Sequence, residues 1–331
     1  MSNTSFAMID FTQFDSLVTV ADYFVNEKTC KQALTEARWG YDIVCPNCGK
    51  HHCARRSDGR FRCQACDHNF SCTTGTIFEN TKLPLRKWFL AMYLISSHKK
   101  GISSLQLSRD IEVTQKTAWH MLHKIRSLYA QDGESQFDGT VECDEVYIGG
   151  KEKWKHKSMR TPHTQGRSTK TKTPVFGMME RTAIENEDGE IEPMSFVRAL
   201  VVEKCDKSTL QSIIQRFVKK GSFVMTDELS AYNGLGGLGY YHGVIRHSEE
   251  EYANDNIFTN SIEGFWSHFR RMITGCYHNV SDGHLQAYIE EAAFRWNTRK
   301  MSESRRFAHM FRMSVGLIVR WSEIRVGLVA A

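Results

Sequence analysis

The chain has 331 residues, of which 41% are hydrophobic and 24% are charged, proportions typical of folded globular proteins that exclude disorder as the main state. Its 43 Lys and Arg exceed its 38 Asp and Glu, and the formal net charge of +5 permits an acidic polymer as a partner without requiring one. The longest apolar run, residues 89–95, is shorter than the roughly 18 residues that a membrane helix needs, so we predict no membrane partner.

The first residues lack the basic and apolar segments of a secretory signal. We therefore expect a cytoplasmic protein whose ten Cys are thiols or metal ligands. Residues 1–42 are predicted to form a helical lead-in, and residues 43–78 a metal-binding module.

That module contains two Cys-x-x-Cys pairs: Cys45, Cys48, Cys63 and Cys66. Their spacing predicts a zinc ribbon, in which four thiolates surround one structural Zn²⁺. Cys53 and Cys72 lie near these pairs, but no second Cys-x-x-Cys motif includes them, and they remain unassigned. Several arginines of the intervening hairpin favour a phosphate backbone as ligand: Arg55, Arg56, Arg60 and Arg62.

Residues 84–131 are predicted to form three short helices. The first begins after Pro84, the second covers residues 103–111, and the third has Thr114 as its N-cap. The apolar spacing of the third helix leaves a polar face to which we assign DNA contacts: Gln115, Lys116, Thr117, His120 and Lys124. A helix-turn-helix places its last helix in the major groove in this way. An inert helical bundle is the alternative, and the neighbouring ribbon favours DNA binding.

Residues 138–300 are predicted to form a mixed domain of strands and helices. A strand over residues 141–148 holds Asp144 at its middle, and a hairpin and a helix capped by Asp206 follow. A buried strand then ends at Asp227, and a later helix carries Glu263. This order is that of an RNase H-like fold, in which three acids distant in sequence meet at one sheet edge.

Each acid also has a plainer explanation: Asp144 could pair with a lysine, Asp227 could lie in a turn, and Glu263 could complete a helix cap with Asn260. Taken together, we interpret them as ligands of two Mg²⁺ or Mn²⁺ ions about 3.5–4 Å apart, which would activate the attacking oxygen and stabilise the leaving oxygen of a phosphodiester.

Other polar residues lie close to these acids in the sequence. Glu142, Glu145 and Glu228 are the neighbours most easily mistaken for ligands. Strand alternation excludes Glu145 from the face of Asp144 but leaves Glu142 open. Arg270 lies two turns after Glu263 on the same helix face, where it could hold a backbone phosphate.

Residues 151–172 contain eight Lys and Arg against one acid. This basic loop has too few apolar residues to fold alone, and it leaves the sheet beside the predicted acids, where it could close on DNA. A solvated loop is the alternative. We assign further DNA contacts to this loop and to the Glu263 helix: Lys151, Lys153, Lys155, Lys157, Arg160, Trp266 and Arg271. A helix near residues 285–296 is expected to cover the sheet, and residues 301–331 to form a C-terminal helical tail.

Several motifs resemble one family, the insertion-sequence DDE transposases with an N-terminal zinc ribbon, known as the ISXO-like group. The motifs are Arg38-Trp39 before Cys-Pro-x-Cys-Gly, Cys143-Asp-Glu-x-Tyr-Ile-Gly-Gly-Lys151, His247-Ser248 followed by Glu251-Tyr252, Thr259-Asn-Ser-Ile-Glu-Gly-Phe-Trp266, and Tyr277-His278. The resemblance implies Asp144, Asp227 and Glu263 as the DDE triad, with Arg270 where many relatives carry Lys or Arg. By the same analogy His247 reaches the metal or the substrate.

A transposase of this kind would bind the terminal inverted repeats of its element as double-stranded DNA, cleave at the ends and join the freed 3′-OH to target DNA. Pairing two ends implies a homodimer or a higher assembly on DNA. The expected location is the cytoplasm of a bacterium, in association with the nucleoid. Two alternatives use the same residues. One is a domesticated DNA-binding regulator without catalysis, and the other is an RNase H-like nuclease without strand transfer.

Overall fold

The computed structural model describes residues 9–131, 135–149, 155–185, 189–245 and 260–316, together with Val319 and Ile324. These residues divide into two compact units. The first contains the chain up to residue 131 and the described residues from 300 onward, and the second contains residues 132–299. No helix within the described ranges combines the length and the apolar character needed to cross a bilayer.

The first unit opens with two helices, α1 (Leu17–Tyr23) and α2 (Glu27–Trp39). Each begins at a side chain that accepts a hydrogen bond from the backbone of its first turn, Ser16 for α1 and Asn26 for α2. Trp39, the last residue of α2, packs its ring edge-on against Phe61, with the ring centroids 5.5 Å apart. The lead-in therefore supplies part of the core of the module that follows it.

That module is an antiparallel sheet of three short strands, β1 (Cys53–Arg55), β2 (Phe61–Cys63) and β3 (Asn69–Phe70), in the order β1-β2-β3. Its small buried core consists of Cys45, Phe61, Cys63 and Phe70. So small a core buries little apolar area, and modules of this size commonly need a bound metal to be stable.

The three helices predicted after Pro84 are present as α3 (Leu85–Ser97), α4 (Ser104–Asp110) and α5 (Gln115–Arg126). Thr114 caps α5 as the sequence predicts, and Ser103 caps α4. The last helix of the chain, α9 (Glu303–Met313), packs within the same unit, since the rings of Phe311 and Phe89 lie 4.9 Å apart. The segment predicted as a separate C-terminal tail thus completes the core of the N-terminal helices.

The second unit is built on a five-stranded mixed sheet: β4 (Thr140–Gly149), β5 (Lys172–Glu185), β6 (Ile191–Val201), β7 (Phe223–Thr226) and β8 (Tyr241–Val244). The strand order is β6-β5-β4-β7-β8. The first three strands pair antiparallel as a meander, and β7 and β8 run parallel to β4. A parallel neighbour needs a crossover, and α6 (Lys207–Phe217) lies between β6 and β7 with Asp206 as its cap.

Helices cover both faces of this sheet. On one face, Cys143 of β4 packs with Leu210 and Ile214 of α6 and with Tyr232. On the other, Val146 of β4 packs with α7 (Asn260–Met272) and α8 (Leu285–Asn297). Alternate residues of β4 therefore face different helices. The architecture is mixed α+β.

Side chains from α8 and from Arg299, two residues after it, bond to the outer side of β6. The backbone N of Val201 donates to Gln286 Oε1 at 2.8 Å, and that of Val197 donates to Asn297 Oδ1 at 2.7 Å. Arg299 donates to the carbonyl of Ser195 at 2.9 Å. These bonds satisfy backbone groups that β5 does not reach.

Candidate active site

The four cysteines of the ribbon converge as their spacing predicts. Cys45 Sγ lies 3.7 Å from Cys66 Sγ, and Cys48 Sγ lies 3.6 Å from Cys63 Sγ. All four sulfur atoms lie within 4.8 Å of one another. Sulfurs at the corners of a tetrahedron, each about 2.3 Å from a central Zn²⁺, are about 3.8 Å apart, so this set fits one zinc ion.

A second cluster of metal-ligand type lies in the sheet domain. The carboxylates of Asp144, Glu145 and Asp227 all come within 4.8 Å of one another. Two of these residues are the acids predicted from the strand pattern, and Glu145 is an addition. Carboxylate oxygens are the ligands that Mg²⁺ and Mn²⁺ prefer, so the donor set fits a divalent cation.

Asp144 faces α7, where it is held by Trp266. The indole Nε1 donates to Asp144 Oδ2 at 3.0 Å. The residue opposite Asp144 on β5 is Gly177, and a side chain there would collide with the Trp266 ring. Burial, together with the charges of Asp227 and Glu263, raises the pKa of Asp144 to about 6.

Glu145 lies on the face of β4 that strand alternation predicts, and its carboxylate nevertheless joins the cluster. Its side chain leaves β4 on the face opposite to Asp144, where it accepts a hydrogen bond from the hydroxyl of Tyr232. The pairing of β4 with β7 ends at Glu142 and Met225, so Asp227 follows β7 where the two strands no longer pair. Asp227 is therefore within reach of side chains from both faces of β4. Burial, with the charges of Asp227 and Asp144, raises the pKa of Glu145 to about 7.

Asp227 is bonded through both of its oxygens. Oδ1 accepts a hydrogen bond from the backbone N of Leu229 at 3.0 Å, and Oδ2 lies 2.8 Å from Nη2 of Arg167. Arg167 belongs to the basic loop, and no site role was predicted for it. The signal that could have pointed to it was only the excess of basic residues in that loop.

Glu263 and Arg270 lie on α7, and both side chains are exposed. Glu263 acts electrostatically on Asp144 but is not part of the cluster within 4.8 Å. The structure thus brings Asp144 and Asp227 together and places Glu263 at their margin. His247, predicted by analogy to reach the site, lies outside the described residues.

Glu142, the neighbour that strand alternation left open, has a structural role. It is fully buried, and its Oε2 accepts hydrogen bonds from the backbone N of Ser261 at 3.1 Å and of Ile262 at 2.9 Å. Its other oxygen pairs with Arg181. A strand carboxylate therefore satisfies the N-terminal backbone groups of α7, the helix that carries Glu263.

We expect Glu142→Ala to lower the free energy of unfolding by about 3–5 kcal/mol, because it leaves Arg181 and two backbone N–H groups without their carboxylate. Urea denaturation followed by circular dichroism measures the change. Glu142→Gln is the matched control, since it keeps an acceptor and should lose less. Equal stability of the Ala variant and the wild type would contradict this role.

Two predicted DNA-contacting residues are corrected by their burial. Lys124 is 7% exposed, and its Nζ donates to the carbonyl of Ile77 at 2.9 Å, so it does not belong to the exposed face of α5. Trp266 is 3% exposed, and its indole Nε1 donates a hydrogen bond to Asp144. Trp266 belongs to the apolar stripe of its helix, whereas the apolar spacing of α5 did not place Lys124 inside.

The other predicted DNA contacts differ in exposure. Gln115 and Lys116 are exposed on α5, whereas Thr117 and His120 are half-buried. In the loop and on α7 the exposed residues are Lys155, Lys157, Arg160 and Arg271. Lys151 and Lys153 lie outside the described residues.

The raised pKa values of Asp144 and Glu145 predict a pH-dependent stability of the metal-free protein. Each folded-state pKa lies above its unfolded value, so the folded state binds protons more tightly, and stability rises as the pH falls from 8 through 7 and 6. Between pH 8 and 5.5 we expect a gain on the order of 2 kcal/mol that the double variant Asp144→Asn, Glu145→Gln lacks. Urea denaturation in EDTA measures it, and a wild-type-to-variant difference that stays constant with pH would contradict it.

Comparison with known proteins gives two family matches and two curated relatives. The ISXO2-like transposase domain matches residues 136–297, and the transposase zinc-ribbon domain matches residues 25–69. A protein of the transposable element ISH50 from Halobacterium salinarum is 28% identical over 284 residues, which cover 82% of this chain and 91% of that protein. A transposase-like protein from Haemophilus influenzae is 30% identical over 105 residues, 32% of this chain and 84% of that protein.

Among solved structures, the Mos1 strand transfer complex is similar at a TM-score of 0.22 and 12% identity, covering 68% of this chain and 81% of that one. A likeness at that level carries no conclusion about the fold. The two domain matches, by contrast, contain the two clusters found in the structure. The four clustered cysteines lie within the zinc-ribbon match, and the three clustered carboxylates lie within the transposase-domain match. The chain belongs to the ISXO2-like transposases with an N-terminal zinc ribbon.

Proposed function

We propose that this transposase binds the terminal inverted repeats of its own insertion sequence, cuts DNA at the element ends and joins the freed 3′-OH to target DNA. The observation that carries the proposal is the meeting of Asp144 and Asp227 from different strands, with Glu145 beside them and a basic loop attached through Arg167. Acids that are brought together at a cost in free energy are expected to have a cationic ligand.

The residues that would hold divalent cations are Asp144 and Asp227, with Glu263 as third acid and Glu145 as an additional oxygen donor. Two such cations supply activation of the attacking oxygen and stabilisation of the leaving oxygen. Trp266 orients the Asp144 carboxylate through its hydrogen bond, and Tyr232 does the same for Glu145. Arg270, which is exposed on the helix of Glu263, would hold a backbone phosphate.

DNA recognition is assigned to the first unit. The exposed residues Gln115 and Lys116 begin α5, as expected of a recognition helix that enters a major groove by its N-terminal end. The ribbon adds exposed arginines on its hairpin, which suit phosphate contacts: Arg55, Arg56, Arg60 and Arg62. The exposed basic residues at positions 155–160 would contact DNA next to the acids.

An RNase H-like assignment of the second unit is supported by its strand order, in which a three-stranded antiparallel meander is followed by two strands parallel to its first strand. Joining two element ends requires both ends in one complex, so we propose that at least two copies of the chain act together on DNA.

The test uses purified protein, a plasmid with the gene and its native flanks, and Mg²⁺ or Mn²⁺. We expect 3′-OH breaks at the element borders, followed by joined products, with neither formed by Asp227→Asn. Breaks without joining would identify a nuclease instead. Specific binding at the borders without metal-dependent breaks would identify a DNA-binding regulator, and either result would overturn the proposal.

A further inference from the structure

Arg167 connects the basic loop to the carboxylate cluster. Its Nη2 lies 2.8 Å from Asp227 Oδ2, and its charge also acts on Glu145. The remaining oxygen of Asp227 accepts from the backbone of Leu229. Both oxygens of a proposed metal ligand are thus already engaged by the chain itself, and one of the two partners is a cation.

The two members of this ion pair differ in their surroundings. The Arg167 side chain is 52% exposed, whereas that of Asp227 is 17% exposed. Arg167 follows Gly166, whose φ of +57° lies in the left-handed region and whose carbonyl accepts from Lys172 Nζ at 2.8 Å. The backbone of the loop is therefore tied next to β5, while the guanidinium reaches the site from the solvent side. The arginine is free to leave by rotation of its side chain, and the aspartate is not.

We propose that Arg167 exchanges between two acidic partners, Asp227 before a divalent cation binds and a DNA phosphate afterwards. This inference rests on the proposed function of the carboxylates. A cation that takes Asp227 Oδ2 repels a guanidinium at the same oxygen, and a half-exposed ion pair is weak enough to be displaced. The released guanidinium stays charged and is shaped to bind phosphate through two parallel hydrogen bonds.

This exchange couples cation loading to DNA capture through one side chain. Without the cation, Arg167 neutralises Asp227 and is withheld from DNA. With it, the loop gains one phosphate contact beside the acids. By thermodynamic linkage, DNA must then favour cation binding by the same factor by which the cation favours DNA binding.

The first test titrates Mn²⁺ into the full-length protein by isothermal calorimetry. Arg160→Ala is the matched control for Arg167→Ala, because Arg160 lies in the same loop and its Nε donates to the carbonyl of Lys155 at 3.0 Å. We expect Arg167→Ala to bind Mn²⁺ about threefold more tightly than Arg160→Ala, the size of effect that a half-exposed ion pair gives. Equal or weaker binding by Arg167→Ala would overturn the exchange.

The second test measures affinity for a short DNA duplex at several salt concentrations, once in buffer without added divalent cation and once in Ca²⁺, with no chelator so that the ribbon keeps its zinc. Loss of one phosphate contact lowers the slope of log affinity against log salt by about one. We expect Arg167→Ala to show this loss in Ca²⁺ only, whereas Arg160→Ala changes the slope equally in both solutions. The same loss for Arg167→Ala in the buffer without added divalent cation would mean that Arg167 already contacts DNA without the cation, contrary to the exchange.

Asp227→Asn separates failure of this inference from failure of the proposed function. If Asp227→Asn binds Mn²⁺ as well as the wild type does, Asp227 is not a metal ligand and the proposed site itself is wrong. If Asp227→Asn weakens Mn²⁺ binding while Arg167→Ala matches its control, the site stands and only the exchange is overturned.

Discussion

Replacing Asp144 by asparagine is expected to reduce metal-dependent DNA cleavage by at least about 10³-fold, because the loss of a proposed cation ligand would remove several kcal/mol of transition-state stabilisation. DNA affinity should change little, since Asp144 lies against Trp266 and the proposed recognition surface is in the other unit. Cleavage of labelled element ends, with gel-shift affinity measured on the same DNA, separates the two quantities.

Asp138→Asn is the matched control for that experiment. Asp138 precedes β4 by two residues, is exposed and pairs with Lys219 at 2.9 Å. It carries the same charge on the same chain segment without belonging to the carboxylate cluster. We expect its cleavage rate to equal that of the wild type. Full cleavage by Asp144→Asn, or equal losses in cleavage and binding, would contradict the division of labour between the two units.

The opposite order of effects is expected when the ribbon loses its metal. Cys45→Ser should contain no zinc and should bind element ends at least about tenfold more weakly, because zinc binding contributes about 10–16 kcal/mol to the folding of such modules. The four-residue core around Cys45 and Phe61 cannot replace that contribution. Elemental analysis of the purified protein gives the zinc content, and a gel shift gives the affinity.

Cys53→Ser is the control for the ribbon experiment. Cys53 lies on β1 opposite Cys63 but is not one of the four clustered thiols. We expect one zinc per chain and unchanged affinity for this variant. Tight binding of element ends by zinc-free Cys45→Ser would show that the ribbon is not needed for recognition, and loss of zinc from Cys53→Ser would change the ligand set.

Most elements around the site were predictable because their signals are local. The predicted cap Asp206 and, in the first unit, the predicted cap Thr114 each precede a helix that the structure contains. The strand with Asp144 and the buried strand that ends before Asp227 follow from apolar patterns of a few residues each. The spacing of the cysteines likewise fixes their convergence before any tertiary contact is known.

The errors arose where a distant part of the chain decides the outcome. Strand alternation places Glu145 and Asp144 on opposite faces of β4, which rules out a shared ligand set only if all ligands lie on one face. Asp227 follows β7 beyond the point where β4 and β7 pair, so side chains from both faces of β4 can reach it. Lys124 was placed on an exposed face, but its ammonium reaches a carbonyl that lies 47 residues earlier in the chain. Neither contact can be predicted from the residue pattern of one helix or strand, because each joins residues that are far apart in the chain. Long side chains can also bury their stems and bond at their tips.

The bonds from Gln286, Asn297 and Arg299 to β6 have a consequence for assembly. An outermost strand normally offers a row of unpaired backbone groups to which another chain can add as a new strand. Here three of those groups already bond to side chains, the backbone N of Val197, the backbone N of Val201 and the carbonyl of Ser195. Extension of the sheet by a second copy at β6 would require these side chains to be displaced first, so the pairing of copies proposed above would have to use other surfaces.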